Sequence, residues 1–298
     1  MMDFAKKQGY FEEFERRGYA KEAKADPNFI RIVSSNVLHS HDPHSREEGV
    51  PHFSERMEIL AALYLYLEPD FIGLQEVSYE QQPILFDLLS EKYICPPVEL
   101  GDYVNYKRYS PPYAGIRAKQ NHTPTLYHKE RYEVVDTRYH LMDVGGLHSY
   151  HWGIYRSLAN PEQKYIHMNL HFCPYGDERQ VPGILDARNE VIHLQRLYPT
   201  TPIFVTGDYN MMIHWDHFKL FLDGLNMQTG MLIAEQNDGI IASNHKMNDP
   251  KLDTTRTAID HISITTELCV AKRHRIVMDD LLCKSTDHCP TYLDVEIK

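Results

Sequence analysis

The apolar positions of the chain fall into short β-like runs and longer helix-like runs that alternate along the sequence. The run FIRIVSSNVL from Phe29 predicts a strand, FSERMEILAALYLYLEP from Phe53 predicts a helix, and DFIGLQEV from Asp70 predicts a second strand. A second repeat has the same order, with the runs KYIHMNLHF, ILDARNEVIHLQRLYP and TPIFVTGDYN, beginning at Lys164. Apolar strands joined by helices are typical of a sheet covered by helices. The pattern therefore predicts an α/β fold.

Each of these four predicted strands ends in a polar side chain that interrupts an apolar run. The residues are Asn36 and Glu76 in the first repeat, and His171 and Asp208 in the second. Sheets covered by helices commonly bind ligands near the carboxyl ends of their strands. Polar residues also end strands simply as turn formers, but Glu76 is followed by Val77 inside an apolar stretch, where an unpaired carboxylate is costly. We therefore expect the four side chains to converge on a functional site.

The C-terminal third and the GDYN run add four more candidates. TRTAIDHISI places Asp260 in an otherwise apolar strand, CKSTDHCPTYLDVEI places Asp287 and His288 before the final strand, and Asn210 follows Asp208. The whole set is rich in hard oxygen ligands, which suit Mg²⁺ or Mn²⁺ better than zinc. A carboxylate-held divalent ion, a general base and an imidazole are what phosphoryl chemistry needs. These residue types therefore favour a metal-dependent phosphohydrolase.

Composition limits the partners that we expect. The 298 residues contain 31 Lys plus Arg and 42 Asp plus Glu, which gives a formal net charge of −11. This acidic balance argues against an enzyme that grips long duplex DNA, because such proteins usually carry a basic excess. The five cysteines contain no C-x-x-C spacing and are typical of reduced thiols. With no signal peptide and no apolar run long enough to span a membrane, we expect a cytoplasmic protein that is a monomer.

No linker or low-complexity tract divides the chain. Residues 1–27 predict an N-terminal helical extension that ends near Pro27, and residues 28–298 predict a single catalytic domain. The segment from about Cys95 to Trp152 is less regular, and its pattern predicts no clear element.

That middle segment contains the densest mixture of cations and aromatic rings, YVNYKRYSPPYAGIRAKQNHTP, with Arg108, Arg117 and Lys119. One interpretation is a solvated loop with a hydrophobic underside. The other is a substrate-binding loop that neutralises phosphate and stacks a ring. The sequence leaves both interpretations open.

Six short motifs follow one another along the chain: SSN, LQEV, NLH, GDYN, IDH and TDH. Their order resembles the signatures of the endonuclease/exonuclease/phosphatase superfamily, which includes deoxyribonuclease I, inositol polyphosphate 5-phosphatases and poly(A) deadenylases. The resemblance runs from about Phe29 to Ile297. It implies a four-layer α/β sandwich, in which two mixed β-sheets pack face to face with helices outside. It also implies Mg²⁺- or Mn²⁺-dependent hydrolysis of a phosphate ester by an activated water.

The resemblance implies a role for each matched residue. Asn36 and Glu76 match the principal metal ligands of the family, and Asp287 matches a carboxylate near the metal. His171 matches the histidine that contacts the scissile phosphate.

Four other residues match the family's catalytic groups. Asp208 matches the residue that activates the attacking water, and Asn210 matches the one that orients the water or the phosphate. His288 matches the histidine that stabilises the transition state, and Asp260 matches the carboxylate that holds this imidazole in place.

Three other features have a functional and a structural interpretation. His261, where many family members carry tyrosine, is either an additional substrate contact or a histidine packed within its strand. Cys173 has no base beyond the residues already assigned, so we interpret it as a buried thiol. The loop HSHDPHSREEGVPHF is either a second metal site or a polar loop, and general experience with such runs favours the polar loop; its histidines are His39, His41, His44 and His52.

Several functions remain open from the sequence. The leading one is a Mg²⁺- or Mn²⁺-dependent phosphodiesterase or phosphatase, for which two substrate classes remain: nucleic acid, or a small or lipid-derived phosphate ester. The alternative is a nuclease of the endonuclease, exonuclease or deadenylase type that acts on single-stranded or short nucleic acid. A non-catalytic binding module on the same fold is disfavoured, because none of the acid–base residues is missing.

Overall fold

The computed structural model describes residues 1–98, 121–142, 148–238, 241–247 and 257–298. Within these residues, two β-sheets pack face to face and helices cover their outer surfaces. Both sheets are mixed, since each contains parallel and antiparallel neighbours. This architecture confirms the four-layer α/β sandwich that the motifs imply.

The described chain contains six α-helices. None of them is long and apolar enough to cross a membrane. Their bounds are α1 (Phe4–Arg16), α2 (Phe53–Leu67), α3 (Gln81–Leu89), α4 (Gln180–Leu197), α5 (Asp216–Leu222) and α6 (Gly230–Ile233). Short 3₁₀ turns cover Tyr19–Glu22, Pro43–Arg46 and Leu282–Lys284.

The two sheets contain the thirteen strands of the described chain. These strands are β1 (Ile30–Asn36), β2 (Phe71–Gln75), β3 (Tyr93–Ile94), β4 (Thr125–His128), β5 (Tyr132–Leu141), β6 (Ser149–Ser157), β7 (Lys164–His171), β8 (Ile203–Asp208), β9 (Met227–Thr229), β10 (Gln236–Asn237), β11 (Asp260–Thr265), β12 (Cys269–Ile276) and β13 (Thr291–Ile297). One sheet has the order β10-β12-β13-β1-β2-β4-β3, and the other has the order β5-β6-β7-β8-β11-β9.

The two predicted repeats are the parallel pairs at the middle of these sheets. β1 and β2 run parallel and are connected through α2, and β7 and β8 run parallel and are connected through α4. Because parallel strands end at the same edge of a sheet, each repeat brings two strand ends together.

Alternation along the strands separates three apolar layers. On β1, Val33 faces the outer layer beneath α1, α2 and α3, whereas Ile32 faces the layer between the sheets. Phe71 and Phe204, from β2 and β8, also fill this inner layer. A third layer lies between β6, β7 and β8 and the helices α4 and α5. Strands in the middle of both sheets are therefore buried on both faces, which explains their near-continuous apolar sequences.

A buried set of hydrogen bonds joins the sheets just beneath the strand ends. We call its three residues, Gln75, Asn169 and Thr206, the inter-sheet clamp. The Gln75 Nε2 group donates to Asn169 Oδ1 at 2.5 Å, and Thr206 Oγ1 donates to the same oxygen at 3.0 Å. Asn169 Nδ2 donates to the carbonyl oxygens of Leu74 and Pro124 at 2.7 and 3.2 Å. Asn169 therefore holds the end of β7 against the end of β2.

The close approach of the sheets at the clamp requires a glycine. A Cβ atom on Gly73 would lie 2.0 Å from Thr206 Oγ1 and 2.5 Å from Asn169 Oδ1. Thr206 Oγ1 also lies 2.9 Å from Nε2 of the buried His167. Any larger residue than glycine at position 73 would push the clamp apart.

Two sequence-based expectations differ from the structure. The N-terminal helix ends at Arg16 rather than near Pro27, because Gly18 adopts a left-handed conformation with φ of 82° and a 3₁₀ turn follows. The expectation of an irregular middle segment was wrong for β4, β5 and β6. The strand β5 has mixed burial and a register shift between Val134 and Asp136, which removes the regular alternation that would have revealed it.

We expect the Thr206→Val substitution to lower the free energy of unfolding by about 1–3 kcal/mol, because it removes one of the two donors to Asn169 Oδ1 and leaves Nε2 of the buried His167 without its hydrogen-bond partner. Urea unfolding monitored by circular dichroism measures this difference. The matched control is Thr200→Val at an exposed position, which should change stability by less than about 0.5 kcal/mol. Equal effects of the two substitutions would contradict the role of the clamp.

Candidate active site

The strand register brings the predicted site residues to one edge of the sandwich. Asn36 pairs with Gln75, the residue before Glu76, across the β1–β2 ladder. His171 pairs with Asp208 across β7–β8, and Asp208 pairs with Asp260 across β8–β11. The side chains that end four strands and begin a fifth therefore meet at the same end of the two facing sheets.

Asp208 lies at the centre of this group and is only 2% exposed. Its Oδ2 atom accepts a hydrogen bond from Asn36 Nδ2 at 3.2 Å and lies 3.6 Å from His171 Nε2 and 3.8 Å from His288 Nε2. Its Oδ1 atom accepts a hydrogen bond from the backbone N–H of Asn210 at 2.8 Å. One carboxylate thus faces two imidazoles and two amide groups.

His288 is held by a second carboxylate. Its Nδ1 atom lies 2.8 Å from Asp260 Oδ2, which leaves Nε2 directed toward Asp208. Asp260 Oδ2 also accepts a hydrogen bond from the Ser243 hydroxyl at 2.6 Å. The backbone N–H of Asp260 in turn donates to the Ser243 oxygen. The imidazole orientation is therefore fixed by a buried acid that is itself held in place.

These charges shift two proton affinities. Burial alone would lower the pKa of His288, but the negative charges of Asp260 and Asp208 outweigh burial and hold this pKa well above the ordinary range. The pKa of Asp208 is raised, mainly by burial and also by the charge of Asp260, while His288 and His171 oppose the shift. An imidazolium therefore faces a carboxylate that is more basic than usual.

Backbone conformations at three of the strand ends are strained. Leu38, Glu76 and Asn210 have φ values of 56°, 61° and 51°, in the left-handed region that non-glycine residues rarely adopt. Each costs on the order of 1–3 kcal/mol and persists only where surrounding contacts enforce it. Here the enforcing contacts include the Leu38 N–H bonded to Asn36 Oδ1 and the Asn210 amide bonded to the Phe172 carbonyl oxygen. Such strain is typical of functional sites.

The residues present fit a divalent metal ion. Glu76, His171 and Asp208 offer ligand atoms that all lie within 4.8 Å of one another, and Asp208, Asp260 and His288 form a second such group. The second group is less suitable, because His288 is committed to Asp260 and favours its protonated form. Among the described residues, one buried oxygen of Asp287, Oδ1, has no hydrogen-bond partner. An oxygen-rich set of this kind matches Mg²⁺ or Mn²⁺.

Asn36 contacts both carboxylates through its amide nitrogen. Nδ2 donates to Glu76 Oε1 at 3.0 Å as well as to Asp208, and Oδ1 accepts from the Leu38 N–H. In this orientation Asn36 bridges two acids. Direct ligation of a cation by its oxygen requires a half-turn of the amide.

Three predicted substrate-binding residues, Arg108, Arg117 and Lys119, lie outside the described residues, so their role stays a prediction. His261 is a packed strand histidine: burial lowers its pKa to about 4, and its Nε2 atom bonds the Met211 carbonyl oxygen at 3.0 Å. Cys173 is buried, as expected. No loop histidine of the 39–52 segment belongs to either metal-competent group found among the described residues.

The structure also reveals residues that the sequence did not indicate. Arg56 of α2 is fully buried, and its guanidinium donates to the carbonyl oxygens of Val37, Leu38 and Ser285. It therefore joins the loop that follows Asn36 to the loop that precedes Asp287. Its neighbours in the sequence include the polar residues Ser54, Glu55 and Glu58, so no local signal distinguished it from a solvent-facing arginine.

Two further residues support the site from loops. The His148 ring lies 5.0 Å from the His171 ring in an edge-to-face arrangement. Ser243, described above, contacts Asp260 across a separation of 17 residues. Neither residue belongs to a sequence motif, so no local pattern identifies them.

Comparison with known proteins identifies the family. The sequence profile of the Endonuclease/Exonuclease/phosphatase family matches residues 33–288, a span that contains every metal and catalytic residue predicted above. The chain belongs to this family. No curated protein sequence matches the chain significantly.

Solved structures of the family share the fold. An endonuclease/exonuclease/phosphatase from Bacteroides vulgatus is 20% identical, covers 91% of this chain and 99% of its own, and has a TM-score of 0.71. A mannosyl-6-phosphatase from Bacteroides thetaiotaomicron is 16% identical over 90% of this chain and 99% of its own, with a TM-score of 0.72. TDP2 from D. rerio, solved with a single-strand DNA product, is 15% identical over 91% and 100% of the two chains, with a TM-score of 0.64.

We expect the His288 imidazole to titrate well above the ordinary histidine pKa of about 6.5, and its pKa to fall in Asp260→Asn, since the amide cannot offset the cost of burying the cation. NMR titration, with His288→Gln used to assign the resonance, measures both values. Asp216→Asn, at an exposed acid, is the matched control and should leave this pKa unchanged.

The same shift predicts the pH dependence of stability. Because the pKa of His288 is raised on folding, the stabilisation by Asp260 is complete below about pH 6.5 and is lost as the pH rises through the folded pKa. Unfolding free energies of the wild type and Asp260→Asn should therefore converge at alkaline pH. A gap that widens with pH would contradict the assignment.

Proposed function

We propose that this protein is a Mg²⁺- or Mn²⁺-dependent phosphoric ester hydrolase, a phosphodiesterase or phosphatase that acts by attack of an activated water on phosphorus. The observation that carries the proposal is the position of the Asp208 carboxylate, which lies between the imidazoles of His171 and His288 and shares the Asn36 amide with Glu76. This arrangement supplies a base, positive charge and metal ligands at one point.

Asp208 acts as the general base in this proposal. Its raised pKa, which burial causes and which His288 and His171 oppose, makes the carboxylate a better proton acceptor than an exposed aspartate. The Asn210 N–H fixes Asp208 Oδ1, so that the other oxygen faces the site. The Asn210 side-chain amide, 3.2 Å from His171 Nε2, is placed to orient the water or a phosphate oxygen.

His288 and His171 stabilise the charge that develops on phosphorus. The raised pKa keeps His288 protonated at neutral pH, so its Nε2–H is a fixed cationic donor. Asp260 holds this ring through Nδ1 and acts as a positioning residue. His171 Nε2 lies between Glu76 and Asp208 and is placed to contact the scissile phosphate.

Glu76 would hold the ion together with Asp287 and with the Asn36 oxygen after a half-turn of its amide, which leaves Asp208 to act as the base and His171 to contact the phosphate. A bound divalent cation polarises a phosphate oxygen and stabilises the leaving oxyanion. Because the cluster is acidic and buried, the cation also offsets the mutual repulsion of its carboxylates.

A nuclease that acts on single-stranded or short nucleic acid is the second candidate. The fold neighbours include a mannosyl-6-phosphatase and a TDP2 structure solved with a single-strand DNA product, so the fold accompanies small and polymeric substrates alike. A net charge of −11 supports a short substrate over a long duplex. The expectation of a cytoplasmic monomer stays a prediction.

We expect activity on a panel of phosphate esters to disappear with EDTA and to return with Mg²⁺ or Mn²⁺. Glu76→Gln should weaken Mn²⁺ binding at least about tenfold, because the lost carboxylate is a direct ligand, and its circular dichroism spectrum should match the wild type. Titration calorimetry measures the binding. Asp216→Asn is the control for removal of one negative charge from an exposed acid. Undiminished turnover in chelator would exclude the metal-dependent mechanism.

We expect Asp208→Asn to lower kcat by at least about 10²–10⁴-fold with little change in KM, because general-base catalysis contributes this much. His288→Ala should cause comparable loss, and Asp260→Asn a smaller one. Since Asp260 acts through His288, adding Asp260→Asn to His288→Ala should cost almost nothing further. Steady-state kinetics of the single and double variants test this. If Asp260→Asn lowers the kcat of the His288→Ala variant by the same factor as it lowers the kcat of the wild type, the two residues work independently.

A further inference from the structure

An aromatic cluster lies on the two segments that leave the site. Tyr175 lies in the loop after β7, Trp215 lies at the end of the loop after β8, and His217 lies in the first turn of α5. The ring centroids of Tyr175 and Trp215 are 4.2 Å apart, and those of Tyr175 and His217 are 5.3 Å apart. We call these three residues the aromatic cluster. The loop with Tyr175 begins at His171, and the loop with Trp215 begins at Asp208 and leads into α5, so both segments of the cluster start at the proposed phosphate site.

A buried glutamine connects the cluster to the site. Gln180 Nε2 donates to the Asn210 carbonyl oxygen at 3.3 Å, and His217 Nδ1 donates to Gln180 Oε1 at 2.6 Å. Asn210 Nδ2 also donates to the Phe172 carbonyl oxygen, which fastens the two loops to each other. One side-chain amide therefore connects His217 of the cluster to Asn210, a residue of the site.

The cluster is open to solvent, unlike the aromatic residues beside it. Tyr175 is 58% exposed, and Trp215 and His217 are half-buried. By contrast, the neighbouring rings of Phe172 and Tyr209 are fully buried and belong to the core between β7, β8 and α4. Trp215 also packs partly against this core. Core packing therefore explains Phe172, Tyr209 and one side of Trp215, but it does not explain why the exposed ring of Tyr175 and the ring of His217 gather around the solvent-facing side of Trp215.

We propose that the aromatic cluster is a binding subsite for the base of a nucleotide whose phosphate occupies the site; this inference rests on the proposed function. Base–aromatic stacking is tolerant of base identity, because every base has a π-face. Since stacking on a ring does not depend on net charge, it is compatible with a chain whose net charge is −11. The ligand is a single nucleotide or the terminal nucleotide of a strand, and both present the same base and phosphate.

Trp215 provides a direct reporter of binding. The chain has two tryptophans, and the other, Trp152, is 7% exposed and bonds Glu190 in the core. The probes are the methylene phosphonate analogues of AMP and of ribose 5-phosphate, which resist ester hydrolysis. With Mg²⁺ present, we expect the AMP analogue to quench tryptophan fluorescence saturably and the ribose analogue to bind more weakly without quenching. The quenching should disappear in Trp215→Phe.

The variant Tyr175→Ala separates stacking from phosphate binding. It should weaken binding of the AMP analogue about tenfold or more, which corresponds to the loss of one stacking contact, and should leave binding of the ribose analogue unchanged. Phe4→Ala, which removes a 70% exposed aromatic ring from α1, is the matched control and should change neither. Two results would overturn the subsite. One is equal affinity of the wild type for the two analogues, and the other is an equal loss of affinity for both analogues in Tyr175→Ala.

Turnover provides the second readout. On nucleotide esters, Tyr175→Ala should raise KM with kcat unchanged, whereas on sugar phosphates it should change neither. The ligand is either a free nucleotide or the terminal nucleotide of a strand. To distinguish them, we compare turnover of a mononucleotide with turnover of an oligonucleotide whose terminal unit carries or lacks its base. Quenching by the AMP analogue without hydrolysis of any ester supports the subsite while refuting the hydrolase. Conversely, hydrolysis with the same kinetics whether or not the substrate carries a base supports the hydrolase and refutes the subsite.

Discussion

The buried hydrogen bonds of Asn169 are the contact on which the geometry of the site depends. This side chain joins β7 to β2 and to the segment before β4, and Thr206 of β8 donates to the same amide oxygen. The clamp residues Gln75, Asn169 and Thr206 each lie one or two positions before a site residue on the same strand. Because catalysis is sensitive to displacements of about 1 Å, two sheets held only by apolar contacts would define the site poorly. The clamp gives their packing a single register.

The site concentrates features that cost stability elsewhere in a protein. Asp208, Asp260 and His288 are buried ionisable groups, and Glu76 and Asn210 have left-handed backbones. Each is tolerated because hydrogen bonds and opposite charges surround it, as with the Ser243 hydroxyl on Asp260. The same contacts that make these groups tolerable also orient them and shift their proton affinities. Stability and chemistry thus depend on one network.

Much of the central architecture was predictable because it repeats a local pattern. The strands around Val33, Ile72, Met168 and Val205 are buried on both faces, so their sequences are continuously apolar and end abruptly in polar residues. Edge strands lack this signal. β5 has one exposed face and a register shift at Val134, and it was missed for that reason.

The sequence by itself determined the fold class, the order of the central elements and the candidate residues for metal binding and catalysis, because these depend on local periodicity and on short motifs at strand ends. Only the tertiary structure decided which groups meet: that Asn36 bridges two carboxylates, that Ser243 holds Asp260, and that Gln180 links Asn210 to the surface rings. These contacts join residues far apart in the chain through the packing of two sheets and their loops. No local pattern encodes such distances, so the supporting residues of the site emerge only when the sheets are assembled.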